Sequence, residues 1–332
     1  MTEEKKLKFA LPKGSLWDRT LELMKQAGYT ISDTSRSYRP TTNDPDLFIK
    51  LLRPQEIPEY LTSEIGFDLG ISGLDWVKET GANVEEIMDL EIGGVKIVFC
   101  IPTSWTTINS FDEFLQHFIK SDKVLRISTE YINTSIEFIM KSKVYQDQFG
   151  DKKPLVITPW QRWGTNDRVQ IFLSFGATEA KPPEEVDCII DNTETGSTIV
   201  ANNLKIVEVV DKSTARLLAN KSALKDPWKR EKISDIKVLL AGAIIARKKI
   251  HLFMNAREEN VNEILAILPA LKKPTISKLG GKDAEGWVAL NTIIDKSEFL
   301  PLIPKIKKLA QGIVVHEVRQ VLPMELSKLN SD

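Results

Sequence analysis

The chain has 332 residues, 45 of them Lys or Arg and 46 Asp or Glu, for a formal charge of -1. With 42% hydrophobic and 27% charged residues it has an ordinary globular composition. Its length exceeds a single compact core, so two or three domains are expected, and the balanced charge leaves no global electrostatic case for nucleic-acid or membrane partners.

The elements alternate from the start. Leu7 to Leu11 reads as a strand, and Pro12 to Ser15 as a break. Leu16, Thr20, Leu21, Leu23 and Met24 recur at helical spacing, closed by Gly28. Leu47 to Leu52 and Phe67 to Ile71 are strands, with short helices at Ile57 to Glu64 and Leu74 to Thr80. Glu85 to Leu90 and Lys96 to Ile101 are further strands, and this order predicts an α/β sheet. A second unit follows, with a strand at Val124 to Ser128, a helix at Asn133 to Lys143, and buried-type strands at Val169 to Ser174 and Val186 to Ile190. Tyr145 to Asp167, rich in Pro and Trp, is assigned to no element. Leu204 to Val210 reads as a strand at which the chain returns to the first unit. Ser213 to Ala219 and Trp228 to Arg247 read as helices. From Lys249 the order is β-α-β-β-α-β, the ferredoxin-like pattern.

The charged start, Met1 to Lys8, has no apolar run behind it and does not read as a secretory leader. The longest apolar run, Val238 to Ala246, is shorter than the about 20 residues a bilayer requires. Cys100 and Cys188 each lie in an apolar stretch and read as buried free thiols of a cytoplasmic protein. His117, His251 and His316 are scattered and suggest no zinc cluster.

The strongest chemical signal is the strand ending at Asp191 and the segment that follows, with Glu194, Thr195, Gly196, Ser197 and Thr198. Gly196 lets the backbone turn closely around a ligand, while backbone N–H groups and three hydroxyls point at an anion. Asp191 and Glu194 could accept from ribose hydroxyls or hold Mg2+ through water. A Ser- and Thr-rich helix N-cap has the same appearance.

Asp191 to Thr198 is similar to the phosphoribosyl pyrophosphate loop, and the preceding Ser174 to Asp191 resembles the version in ATP phosphoribosyltransferases. Phe9 to Gly14, Ser35 to Pro40, Arg53 to Pro58 and Asp68 to Gly73 follow in that family's order. Lys273 to Leu279 and Gly286 to Ala289 resemble the extra domain of its long form. The resemblance implies a catalytic part of two α/β lobes, like periplasmic binding proteins, plus the C-terminal ferredoxin-like regulatory domain. Lobe I would span residues 1–102 with 204–235 returning to it, lobe II residues 103–203, and the regulatory domain residues 249–325.

Adenine N1 of ATP would attack C1 of phosphoribosyl pyrophosphate, with Mg2+ on the phosphates, as the first step of histidine biosynthesis. Histidine would inhibit, and the chain would form dimers or hexamers. Asp191, Glu194, Thr195, Gly196, Ser197 and Thr198 would bind phosphoribosyl pyrophosphate, and Asp191 and Glu194 the metal. Lys13, Gly14, Arg36, Arg39, Arg53, Asp68, Ser72, Gly73 and Glu179 would serve ATP. Asn255, Thr275 and Ser277 would contact histidine. Each of these also has an ordinary reading as a surface, cap or strand-edge residue.

Two positions depart from the family pattern. Ser15 stands where an Arg is usual, with Arg19 one helical turn on as its substitute, and Glu130 stands where a base is common. They keep open a catalytically silent regulatory paralogue, beside a two-lobed small-molecule-binding protein.

Overall fold

A computed structural model describes residues 5–32, 37–63, 66–269, 274–281 and 284–322. In chain order the elements are β1 (Leu7–Pro12), α1 (Trp17–Gln26), β2 (Leu47–Leu52), α2 (Ile57–Thr62), β3 (Leu69–Gly73), α3 (Leu74–Thr80), β4 (Glu85–Asp89) and β5 (Val95–Pro102). Next come α4 (Phe111–Lys120), β6 (Leu125–Thr129), α5 (Ile132–Lys141), α6 (Lys143–Phe149), β7 (Pro154–Ile157), β8 (Arg162–Trp163), β9 (Asn166–Leu173), β10 (Cys188–Thr193) and α7 (Ser197–Ala201). The chain continues with β11 (Leu204–Ser213), β12 (Ala215–Ala219), α8 (Pro227–Arg247), β13 (Lys249–Arg257), α9 (Val261–Ile267), β14 (Thr275–Lys278), β15 (Trp287–Asp295), α10 (Lys296–Ile306) and β16 (Ala310–Glu317). Of the described residues, one compact unit takes in 5–20, 37–41 and 45–230, and a second takes in 21–32, 42–44 and 231–322.

The first unit carries two sheets, the two α/β lobes expected. One has the order β2-β1-β3-β12-β4, the other β11-β5-β10-β6-β9-β7-β8. In the first, β1 runs parallel to β2 and β3, and β12 is antiparallel to β3 and β4. In the second, β10, β6, β9 and β7 are parallel neighbours, so their carboxyl ends share one edge. Open α/β sheets bind ligands at such an edge.

Local chemistry explains the elements. Ser110 caps α4 by accepting from the Glu113 N–H, while the Glu113 carboxylate accepts from the Asn109 N–H. Reciprocal capping of this kind starts a helix. Phe111, Phe114, Leu115 and Phe118 of α4 then lie buried against the second sheet with Phe99, Leu125 and Ile127. Each such side chain contributes about 1.5–3 kcal/mol when fully buried.

Four expectations change. Ser213 to Ala219, read as a helix, is the end of β11 followed by strand β12. Leu217 and Leu218 are fully buried between β3 and β4, and a short apolar run has no period that separates strand from helix. Residues 204–213, expected to return to lobe I, pair with β5 in the second sheet, so only β12 rejoins the first. Residues 95–102, expected in lobe I, are β5 of the second sheet. The helix expected at Asn133 to Lys143 is two: Ser142 is extended (ψ 127°) and its hydroxyl caps α6 through the Tyr145 N–H. The unassigned Tyr145 to Asp167 supplies α6, β7 and β8, and the start of β9.

The second unit contains a four-stranded antiparallel sheet, β14-β15-β13-β16, with α9 and α10 between its strands in sequence. This is the ferredoxin-like order expected. Leu252, Met254, Ile264, Leu290, Ile294 and Ile306 form its core.

Candidate functional site

The turn after β10 builds the phosphate-type loop. Gly196 has φ +82°, a left-handed conformation that costs a side-chain-bearing residue about 1–2 kcal/mol. Its N–H donates to Thr193 Oγ1 at 2.9 Å. Thr195 Oγ1 donates to Ser197 Oγ at 3.0 Å and accepts from the Ser197 N–H. Thr195, Ser197 and Thr198 then line a cavity of about 440 Å³ together with Asp191, Glu194, Glu179, Glu130 and Ser15. Five of the six expected loop residues therefore meet Glu179 in one cavity, and the sixth, Gly196, shapes the turn. Both departures from the family pattern line the same cavity.

Its electrostatics are acidic. Burial first, then the Glu130 and Glu179 carboxylates, push Asp191 from 3.8 up to about 6, against hydrogen bonds from the Asn192 N–H and Thr178. Burial also raises Glu130, opposed by the Gly176 N–H and by the charges of Lys181 and Arg53. Glu194 accepts both ends of the Arg19 guanidinium, at 2.9 and 2.7 Å. Arg19, expected to substitute for the missing cation at Ser15, is thus engaged by a carboxylate.

Of the described residues expected at ATP, Gly73 and Glu179 line two different cavities. Lys13 reaches Tyr38, 2.9 Å from its hydroxyl and 4.1 Å from its ring centre. Gly14, Arg39 and Arg53 are exposed. Ser72 is buried and donates to the Pro54 carbonyl at 2.6 Å. Gly73 lines a small cavity of about 70 Å³ with Ser15, Asp75, Tyr131 and Asn192. Arg36 lies outside the described residues.

Asp68 stands apart from Ser72 and Gly73. It precedes β3, whereas Ser72 and Gly73 end it, so strand rise puts it about 13 Å from Ser72. Its carboxylate accepts from the Lys8 N–H at 2.9 Å and from Lys229 Nζ at 2.7 Å, which makes it a pin between β1, β3 and α8.

Sequence reasoning missed the residues that join the two sheets. A Cβ on Gly73 would stand 2.0 Å from Asp75 Oδ1, so only glycine admits that carboxylate. Asp75 accepts from Ser213 Oγ at 2.6 Å and from the Tyr131 hydroxyl at 2.8 Å. Tyr131 in turn accepts from Asn192 Nδ2 at 2.9 Å and stacks on Trp76 at 4.4 Å. Burial and the Asp75 charge hold the Tyr131 phenol well above its ordinary value, so it stays a donor. One turn on, Glu79 accepts from the Asn133 and Thr134 N–H groups and caps α5. Two carboxylates at i and i+4 of α3 were the available signal, but that spacing also marks a solvated helix face.

In the second unit, Asn255 and Ser277 flank Ala289 across β13, β15 and β14. Thr275 lies opposite Asn291, two pairs along. Asn255 Oδ1 is buried and, among the described residues, has no hydrogen-bond donor. Among the described residues no group of three or more metal-ligating side chains occurs, and no helix is long and apolar enough to cross a membrane.

The family described as ATP phosphoribosyltransferase matches residues 53–242, and that described as HisG, C-terminal domain, matches residues 246–320. An ATP phosphoribosyltransferase of Pelodictyon phaeoclathratiforme is 39% identical, over 95% of this chain and 97% of that protein. One of Pelotomaculum thermopropionicum is 38% identical, over 96% of this chain and 100% of that protein. A solved ATP phosphoribosyl transferase (HisG:HisZ) complex from Thermotoga maritima shares the fold, with a TM-score of 0.51 and 22% identity over 71% of this chain and 98% of that one.

Proposed function

The chain belongs to the ATP phosphoribosyltransferase family, a group of pentosyltransferases of histidine biosynthesis, and we propose that it joins ATP to phosphoribosyl pyrophosphate in the cavity beside Gly196. The bond formed is between adenine N1 and C1 of the ribosyl group, and the bond broken is from C1 to the pyrophosphate oxygen. The observation that carries this reading is the convergence of Asp191, Thr195, Ser197 and Thr198 on one cavity in a chain that matches such a relative over 96% of its length.

Adenine N1 already carries a lone pair, so the site needs no strong base. Its work is to hold two anionic substrates in line and stabilise the charge of the leaving group. The Thr195, Ser197 and Thr198 hydroxyls and the Ser197 N–H supply donors for phosphate oxygens. Asp191 suits Mg2+, because a carboxylate raised by burial and two neighbouring acids gains from a cation. Mg2+ would supply the charge that offsets the polyphosphate. Glu194 can join it once Arg19 lets go, and Arg19 is then free for a phosphate. Lys13, Arg39 and Arg53, exposed on the first lobe, are the cations available to ATP.

Histidine as an inhibitor fits the second unit. Its ammonium group is the donor that the orphaned Asn255 Oδ1 lacks, with Ser277 and Thr275 on β14, across β15 from it. Homo-oligomers, dimers or hexamers, and a cytoplasmic setting complete the proposal. The test is the ultraviolet absorbance of the N1-substituted adenine, followed with a pyrophosphatase present. The expected signal requires ATP, phosphoribosyl pyrophosphate and Mg2+ together and falls when histidine is added. Folded protein that forms no product would refute the proposed reaction.

A further inference from the structure

The cavity poses an electrostatic problem. Glu130, Glu179, Asp191 and Glu194 all line it, yet its proposed ligand is a polyanion. Arg19 is neutralised in place by Glu194. A phosphorylated ligand needs a cation that no carboxylate has already claimed.

Strand register shows where one stands, next to Glu130 and beside the residues that line the cavity. Ile190 lies beside Thr129, and Thr129 beside Leu173. One residue further on, Glu130 and Ser174 follow the ends of β6 and β9, and Asp191 lies level with them within β10. The segment after β9 then turns back, and Lys181 returns over these ends. Its Nζ donates to Ser174 Oγ at 2.6 Å and to Ser128 Oγ at 3.2 Å. Both serines are buried. Thr178, fully buried, lies 2.9 Å from the same Ser174 Oγ and also helps hold the Asp191 carboxylate. A continuous polar chain thus runs from Asp191 through Thr178 and Ser174 to Lys181.

Four features single this ammonium out. Its two hydrogen-bond partners are neutral hydroxyls, and among the described residues no carboxylate is in ion-pair contact with it. An ammonium has three donors, so one remains for a ligand. Its charge is felt by Glu130, which it partly offsets. The serine pair fixes the head group and removes the entropy a free lysine would lose on binding.

We propose that Lys181 is the phosphate-receiving cation of the second lobe, and that it also screens Glu130 from the phosphates of phosphoribosyl pyrophosphate. This rests on the reading of the cavity as the phosphoribosyl pyrophosphate site. Lys181 and Glu130 act as one charge-balanced pair at the tops of β6 and β9. The acid at position 130 is tolerated because Lys181 stands one strand away and, with Arg53, offsets its charge.

Calorimetric titration of the full chain with phosphoribosyl pyrophosphate and Mg2+, and separately with ATP, tests this. Lys181→Met is expected to weaken phosphoribosyl pyrophosphate roughly 10- to 100-fold, the effect of losing a charged hydrogen bond, and to leave ATP binding unchanged. Lys181→Arg keeps the charge and should retain most of the affinity. Adding Glu130→Gln to Lys181→Met should recover much of the loss, because the unscreened carboxylate is gone. Equal affinity in wild type and Lys181→Met overturns the proposal, and so does a loss shared by ATP that Glu130→Gln does not recover. Wild type that fails to bind phosphoribosyl pyrophosphate at all refutes the underlying site reading instead.

Discussion

Asp191→Asn should make the protein more stable and less active. The carboxylate sits at about 6 instead of 3.8, at about 1.4 kcal/mol per unit, so its ionised form costs the fold up to about 3 kcal/mol. The sign follows from proton binding. The folded state holds the proton more tightly than the unfolded chain, so stability falls as pH rises from about 4 to about 6 and levels off above that. An amide has no charge to desolvate and no repulsion from Glu130 or Glu179. It keeps an acceptor for the Asn192 N–H, now 2.7 Å from Asp191 Oδ1. The expected gain is about 1–3 kcal/mol at pH 7.5, shrinking toward zero near pH 4. Urea unfolding of both proteins at pH 4.5 and 7.5, with tryptophan fluorescence as the probe, reads it directly. A variant that is less stable at pH 7.5, or a difference that ignores pH, would refute the reasoning. Activity should drop at every pH, the pattern of a site that trades stability for function.

Tyr131→Phe removes the hydroxyl shared by Asp75 and Asn192, and unfolding should cost about 1–3 kcal/mol less; an unchanged urea midpoint would rule that out. Gly196→Ala forces a left-handed alanine whose Cβ meets Ile206 Cδ1 at 3.4 Å. It should lose about 1–2 kcal/mol and raise the KM for phosphoribosyl pyrophosphate. Gly14→Ala, at φ +90° with open space around its Cβ, should show the conformational cost with no steric addition, so a larger loss there than at Gly196 would contradict the packing argument. Asn255→Ala should abolish histidine binding in a direct titration, and undiminished binding would remove Asn255 from the effector site.

The loop was legible because its chemistry is local. A strand, a glycine and three hydroxyls within eight residues specify a turn whatever surrounds it, and Gly196 adopts the positive φ expected of it. The ferredoxin-like order was legible for a similar reason, since alternating periods of two and 3.6 mark each element. The ion pair of Asp68 was not legible, because its position on a strand does not say what faces it. Its partner Lys229 lies 161 residues away. Arg19 was read as a free cation because nothing near it in sequence announces Glu194, 175 residues on.

Sequence alone determined the α/β class, the ferredoxin-like order of the C-terminal domain, the phosphate-type loop and the family. Each of these depends on residue type and short-range spacing. Tertiary structure alone decided that β5 and β11 belong to the second sheet, that Ser213 to Ala219 ends in a strand, and that Glu130 shares a cavity with Asp191 while Lys181 stands over its strand end. Those outcomes rest on pairing and burial between distant segments, where the free energy of a contact depends on which surface removes it from water.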